Sequence, residues 1–468
     1  MAHVLLPASL LRLIERAEPP VHLLQGDEVE VAGGTVLEVL RRLVAETPPL
    51  SGWVLDERGE LRPHVAVFVD GERASADQPV GVGARLHVVP AISGGAPEAS
   101  EPAETGAAGE VEVLAGTRKG LFVLRGPRGG RLQIAARRFA GQPVEYAARD
   151  PRTGRVFASV THSHYGPHLF AADDPIADDE TWERGSGLAF PADTGATLER
   201  IWVVEPGDED GVLWAGVAPA ALFRSADGGR TWELNRALWD VPSRPSWDPG
   251  AGGLCLHSIC PWPGEPRRLA VGISAAGVWI TEDGGASWRW GVEGLVPRYV
   301  PEEARATTTA FCVHNLRRPP LEPSTLYMQF HGGVYRSDDA GLSWVDIAPG
   351  LPADFGFPLA IDPHDPARAF VIPLIADVDR VPPDARLRVY ETRDRGTSWR
   401  PLTTGLPQDG AYQTILRQAF GQDGQDPVGL YFGAESGELF ASGDGGETWA
   451  LAAAHLPPIY SVRASVRV

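Results

Sequence analysis

Five copies of one eight-residue pattern, Ser/Thr-x-Asp-x-Gly-x-x-Trp, constrain this chain more than any other feature. They read SADGGRTW (225–232), TEDGGASW (281–288), SDDAGLSW (337–344), TRDRGTSW (392–399) and SGDGGETW (442–449). Their aspartates, Asp227, Asp283, Asp339, Asp394 and Asp444, recur every 50 to 56 residues. Each copy follows strand-like runs such as LWAGVAPAALFR or LYFGAESGELFA. A period of this length with three or four short strands is that of a β-propeller blade. A degenerate sixth unit ends at Trp182, and a weaker seventh spans residues 116–134. The stretch IYSVRASVRV (459–468) has no turn motif after it. It is free to supply the strand that the unit at 111–135 lacks, closing the ring and removing free sheet edges. Seven blades are expected, or six if that first unit is an extension.

The pattern has a physical reading as a turn. The Asp carboxylate accepts backbone N–H groups, the fifth-position Gly takes positive φ, and the Trp buries a large apolar face between blades. The repeats resemble the Asp boxes (BNR repeats) of sialidase-like propellers, a likeness that covers the second half of the chain. Equivalent placement in every unit makes these aspartates architecture rather than ligands. The resemblance would also imply an arginine triad and an aromatic-Arg-Ile-Pro segment if the chain were a sialidase. The corresponding stretch reads GTRKGLFVLR, without that signature, so a standard sialidase is not expected.

Residues 96–110 are small, acidic and Pro-containing, too poor in apolar side chains to offset their ordering entropy. They form an expected linker between a domain at 1–95 and the propeller at 111–468. In the first part, Thr35 is placed as the N-cap of a helix over VLEVLRRLVAET, whose apolar residues fall at helical spacing. Val65, Val67 and Val69 alternate before an Asp70-Gly71 turn, and ARLHVVPAI reads as a last strand. One helix on a small mixed sheet predicts a β-grasp fold, so the chain is expected to be multi-domain. A net charge of -19 argues against nucleic acid and anionic membranes as partners. Three cysteines without framework spacing and no bilayer-length apolar run make the cytoplasm the expected compartment.

Residues 1–95 resemble the MoaD/ThiS family of ubiquitin-like sulfur carriers. The likeness rests on HVLLPASLLRL, GTVLEVLRRLVAETP, GELRPHVAVFVDGER and the end GARLHVVPAISGG. It implies that Gly95 would be the activated carboxylate and Gly94 its threading partner. It also implies an ATP-using adenylating enzyme as partner. Here Gly95 is an amide to Ala96, and an amide cannot be adenylated, so the activity requires a processing protease that cuts after Gly95. The expected function is therefore a sulfur-carrier-like domain fused to a propeller scaffold, with no intrinsic cofactor. Two alternatives stay open: a sialidase-like propeller enzyme, hydrolase or lyase, with its site at the channel mouth, and a plain protein-interaction module.

The candidate channel residues follow from blade register. His257 in LCLHSI and His314 in FCVHNL hold matching places early in their blades, each two residues after a cysteine, Cys255 or Cys312. Arg200 and Arg417 fall at similar points, while His162, His164, His168 and His331 follow second strands. Such a ring suits a metal held by neutral imidazoles, or an anion held by Arg and His.

Overall fold

A computed structural model describes residues 2–5, 28–47, 50, 54–55, 59–61, 65–90, 109–247 and 252–467. Two compact units divide the chain, Met1–Thr105 and Gly106–Val468. Gly94, Gly95 and residues 96–108 of the expected linker lie outside the described residues.

In the first unit, β1 (Ala2–Leu5) pairs antiparallel with β2 (Glu28–Val31) and parallel with β7 (Arg85–Pro90). β7 also pairs with β4 (Val65–Val69), which turns at Asp70-Gly71 into β5 (Glu72–Ala74). The sheet order is β2-β1-β7-β4-β5, and β3 (Gly34–Thr35) forms a separate short pair with β6 (Pro79–Val80). Helix α1 (Val36–Glu46) starts at the expected cap: Thr35 Oγ1 accepts the Glu38 N–H, and Glu38 Oε2 accepts the Thr35 N–H. Its residues Val36, Val39, Leu40 and Leu43 are buried in one core with Val4, Val67 and Leu86.

The second unit is almost entirely β. Among the described residues, five four-stranded antiparallel sheets follow one another as blades 2 to 6, and blades 1 and 7, four strands each, join into one eight-stranded sheet through the single parallel pair Gln418↔Ser461. The first blade takes its innermost strand from the far end of the sequence. Ile459–Arg467 pairs antiparallel with Glu110–Thr117, from Arg467↔Glu110 to Ile459↔Thr117. Inner strands of successive blades touch around the whole circle, and Ile459–Arg467 meets both Val144–Arg149 of blade 2 and Ile415–Gln422 of blade 7. The ring is closed by the strand the sequence offers for it, and seven is the blade count.

The Asp box is a turn. In blade 5, Ser337 Oγ accepts the Gly341 N–H at 2.8 Å and donates to Asp339 Oδ1 at 2.8 Å. Asp339 in turn accepts the Leu342 and Ser343 N–H groups and the Ser343 hydroxyl. Side-chain and backbone donors of this kind hold Asp227 and Asp283 at about 2. Their contribution is complete above the ordinary Asp range and is lost only as pH falls toward that value. Three of the five box tryptophans, Trp288, Trp344 and Trp399, bond across to the preceding blade. Trp344 Nε1 donates to Gly291 O at 3.1 Å and Trp399 Nε1 to Ile347 O at 2.7 Å, each on the preceding blade. Ser337→Ala would leave the buried Gly341 N–H without its acceptor, at a cost of about 1–3 kcal/mol. A chemical denaturation midpoint measures it, and an unchanged midpoint would show that the hydroxyl carries no part of the turn.

Candidate functional site

Every inner strand of the ring breaks register once, near its start. The breaks fall between Val144 and Tyr146, Ile201 and Val203, Leu256 and Ser258, Val313 and Asn315, Gly356 and Leu359, Ile415 and Phe420, and Ile459 and Ser461. A bulge re-aims the side chain it carries. The bulged residues Glu145, Trp202, His314, Phe357, Arg417 and Tyr460 all line one cavity of about 510 Å³. Phe355, the first residue of the inner strand Phe355–Ile361, and loop residues Tyr299, His331, Asp377, Arg380 and Glu435 complete it.

The cavity has a floor. Asn315 Nδ2 donates to Arg417 O at 2.8 Å and to Phe357 O at 3.1 Å. Gln418 Nε2 donates to His257 O at 2.7 Å, and Arg463 Nη1 donates to Gln418 O at 2.9 Å. These bonds cross between blades 1, 4, 5, 6 and 7, so the shaft is plugged. A separate hollow with Glu205, Arg317 and Arg463 lies beyond the plug.

Cations and carboxylates share the cup with aromatic faces. Arg200 lies over the Trp202 ring at 4.8 Å and 3.5 Å from Glu145 Oε1. Arg417 covers the same ring at 5.0 Å, and Arg380 covers Phe357 at 5.0 Å. Burial pushes the Glu145 carboxyl above the usual range, with Arg200 partly opposing it. Burial also raises Glu435, against a pull from Arg380. Tyr460 sits within electrostatic reach of both carboxylates. On the blade 5 side, the ligand atoms of Cys312, His314 and His331 lie within 4.8 Å of one another. Burial lowers both imidazoles, His314 far below its ordinary value, and raises the Cys312 thiol.

The structure brings Arg200, His314, His331 and Arg417 together, as the register implies. It does not bring the other histidines. His257 is fully buried, its Nε2 on Val313 O at 2.9 Å and its Nδ1 on Ser258 Oγ at 3.0 Å, so it links two blades instead of meeting a ligand. His162 Nδ1 accepts the His164 and Tyr165 N–H groups and caps a hairpin of blade 2. His162 and His164 are outside the cavity lining, and His168 packs on Arg184 in a different groove. Glu145, Trp202, Phe357 and Tyr460 escape a search for histidines and arginines. Aligning PVEYAARD, ERIWVVEP, FGFPLAID and PIYSVRAS on the bulge position finds them.

No family model matches the chain. It is 26% identical over 247 residues to an oligoxyloglucan-reducing end-specific xyloglucanase of Emericella nidulans, covering 45% of this chain and 28% of that protein. It is 29% identical over 236 residues to a xyloglucanase of Hypocrea jecorina, covering 46% of this chain and 27% of that protein. The chain thus spans little more than a quarter of the length of these two relatives. Among solved structures, a GH74 xyloglucanase from Xanthomonas campestris aligns at a TM-score of 0.47 and 17% identity, covering 76% of this chain and 55% of that one. A small N-terminal region is similar to SAMP1 from Haloferax volcanii, at 28% identity and a TM-score of 0.17, covering 20% of this chain and 98% of that one.

These relatives overturn the expected function. The chain matches proteins named as xyloglucanases over almost half its length, so the sulfur-carrier reading centred on Gly94 and Gly95 gives way. The chemistry agrees, because the Gly95 carboxyl is locked in an amide while titratable groups converge in the cup. The sialidase side of the Asp-box resemblance falls as well, since the matched glycosidases are of another kind.

Proposed function

We propose that the propeller is a glycoside hydrolase acting on a plant-type glucan, with oligosaccharides of xyloglucan as the first substrate class. The observation that carries this reading is the pair Glu145 and Glu435, both raised by burial, set on the blades that flank Tyr460. Glycoside cleavage needs two carboxyls in different protonation states. Glu145, ion-paired to Arg200, is the better base or nucleophile. Glu435, acted on by Arg380 only through space, is the better acid. The faces of Trp202, Tyr299 and Phe357 suit sugar rings, which present apolar C–H surfaces. The first unit is read as a β-grasp adaptor, a reading supported by its sheet order with a parallel central pair and one helix.

The wild-type chain should release reducing ends from xyloglucan oligosaccharides within a panel of soluble β-glucans. A Glu145→Gln/Glu435→Gln double variant should release none. Absence of release by the wild type across the panel, or equal release by the double variant, overturns the proposal.

A further inference from the structure

On one wall of the cup, three side chains from blade 5 converge that glycoside cleavage leaves unused. They are the Cys312 thiol, the His314 imidazole and the His331 imidazole. We propose that they bind one Zn²⁺, with the fourth position open to the cavity. The donor set is one sulfur and two nitrogens, which suits a borderline-soft d¹⁰ cation in tetrahedral geometry. Three protein ligands with an open position are the pattern of sites that keep a water or substrate on the metal.

The supporting residues are those a metal site requires. His314 Nδ1 donates to Gly356 O at 2.7 Å, which fixes the tautomer and leaves Nε2 with its lone pair free. His331 is held by rings, with Tyr299 at 4.0 Å, His314 at 5.1 Å and Phe355 at 5.3 Å between centroids. Its backbone N–H donates to Cys312 O at 3.1 Å, so the first and third ligands are tied at the main chain. The Tyr299 hydroxyl accepts the Cys312 N–H at 3.1 Å and fixes that residue from the other side.

The donor atoms stand within 4.8 Å of one another. Bonds of about 2.0–2.3 Å to one Zn²⁺ need them somewhat closer, so binding would draw the partly buried Cys312 thiol away from Ser274 and Ala275 toward the two imidazoles. On binding, the Cys312 S–H bond gives way to Sγ–Zn, and its proton leaves to solvent. The thiolate, with Asp377 facing the same cavity, offsets the positive charge of Arg417.

The full chain, stripped with a chelator and titrated with Zn²⁺ against a chromophoric competitor, should bind one equivalent. Co²⁺ in its place should give a near-ultraviolet thiolate-to-metal band. Cys312→Ser should abolish that band, and His331→Gln should weaken Zn²⁺ on the order of 100-fold. Cys260→Ser, whose thiol donates instead to Leu316 O, should leave both readouts unchanged. Cys312 and His331 are only partly buried, and circular dichroism establishes that their variants fold. Failure of the folded wild type to bind a stoichiometric ion overturns the site. Equal affinity in Cys312→Ser and His331→Gln overturns it too. These readouts report metal, not hydrolysis, so the site stands or falls apart from the glycan reading.

Discussion

Removing residues 459–468 should abolish cooperative folding of the second unit. The strand Ile459–Arg467 contributes eight paired positions to blade 1. Ile459, Ser461 and Val462 are fully buried. Burial of the two apolar side chains alone is worth about 1.5–3 kcal/mol each. Loss of the strand also exposes the edge of Glu110–Thr117 and the seams to blades 2 and 7. Together these losses are comparable with the roughly 5–15 kcal/mol by which a domain of ordinary stability exceeds its unfolded state. A second tie crosses the same seam. Arg128 Nε of blade 1 lies 2.6 Å from Asp423 Oδ2 on blade 7, and both side chains are buried. That bond cannot substitute for the strand, because its geometry depends on the strand holding the two blades together.

The full chain and the truncated chain should be compared by thermal unfolding. The truncated form should lack a sharp transition and should bind dyes for exposed apolar surface. A point variant gives the same seam a milder test. A Cβ at Gly421 would stand 2.6 Å from Val462 O, so Gly421→Ala should lower the unfolding temperature while preserving cooperativity. A truncated chain that unfolds cooperatively at the wild-type temperature would show that the ring is closed by other means.

The architecture was legible because repetition amplifies weak local signals. One Asp box is a turn, but five at near-constant spacing set the blade length. IYSVRASVRV was recognisable as the closing strand because it lacked a box of its own. Thr35 and Glu38 made the helix start readable for the same local reason, since both halves of the cap lie within four residues. The site was only half legible. Arg417 and His314 fall where register puts them, yet His257, in the matching place, turns its ring into the blade 4–5 seam. Both imidazoles bond a carbonyl of the next blade, and what separates their roles is that Ser258 Oγ also takes the second nitrogen of His257. Glu435, Asp377 and Arg380 come from loops whose length varies from blade to blade, and no periodicity predicts where those side chains end. The Gly94-Gly95 motif misdirects the functional reading, because a motif in a small unit says nothing about what a much larger unit does.

Glu435→Gln should lower kcat/KM on a xyloglucan oligosaccharide by about 10²–10⁴-fold, the usual contribution of a positioned general acid. The pH profile then separates a catalytic loss from a structural one. An acid works in its protonated form, so activity falls as pH rises through its pKa. Burial raises Glu435, which moves that alkaline limb above the ordinary carboxylate range. Glu145 must be ionised to act as base, so the acidic limb belongs to it, and it too lies higher than usual because burial outweighs Arg200. Glu435→Gln should erase the alkaline limb and keep the acidic one, whereas Glu145→Gln should do the reverse. Stability should fall in the same pH direction. A carboxyl raised in the folded state contributes most below its unfolded pKa, and that contribution is lost as pH rises through the folded value. The substituted amide carries no charge at any pH, so the Glu435→Gln variant should match the wild type in acid and unfold at a higher temperature near neutrality. An alkaline limb that survives in Glu435→Gln removes Glu435 as the acid. A fall in activity with both limbs intact and a lowered unfolding temperature would make it a packing residue instead.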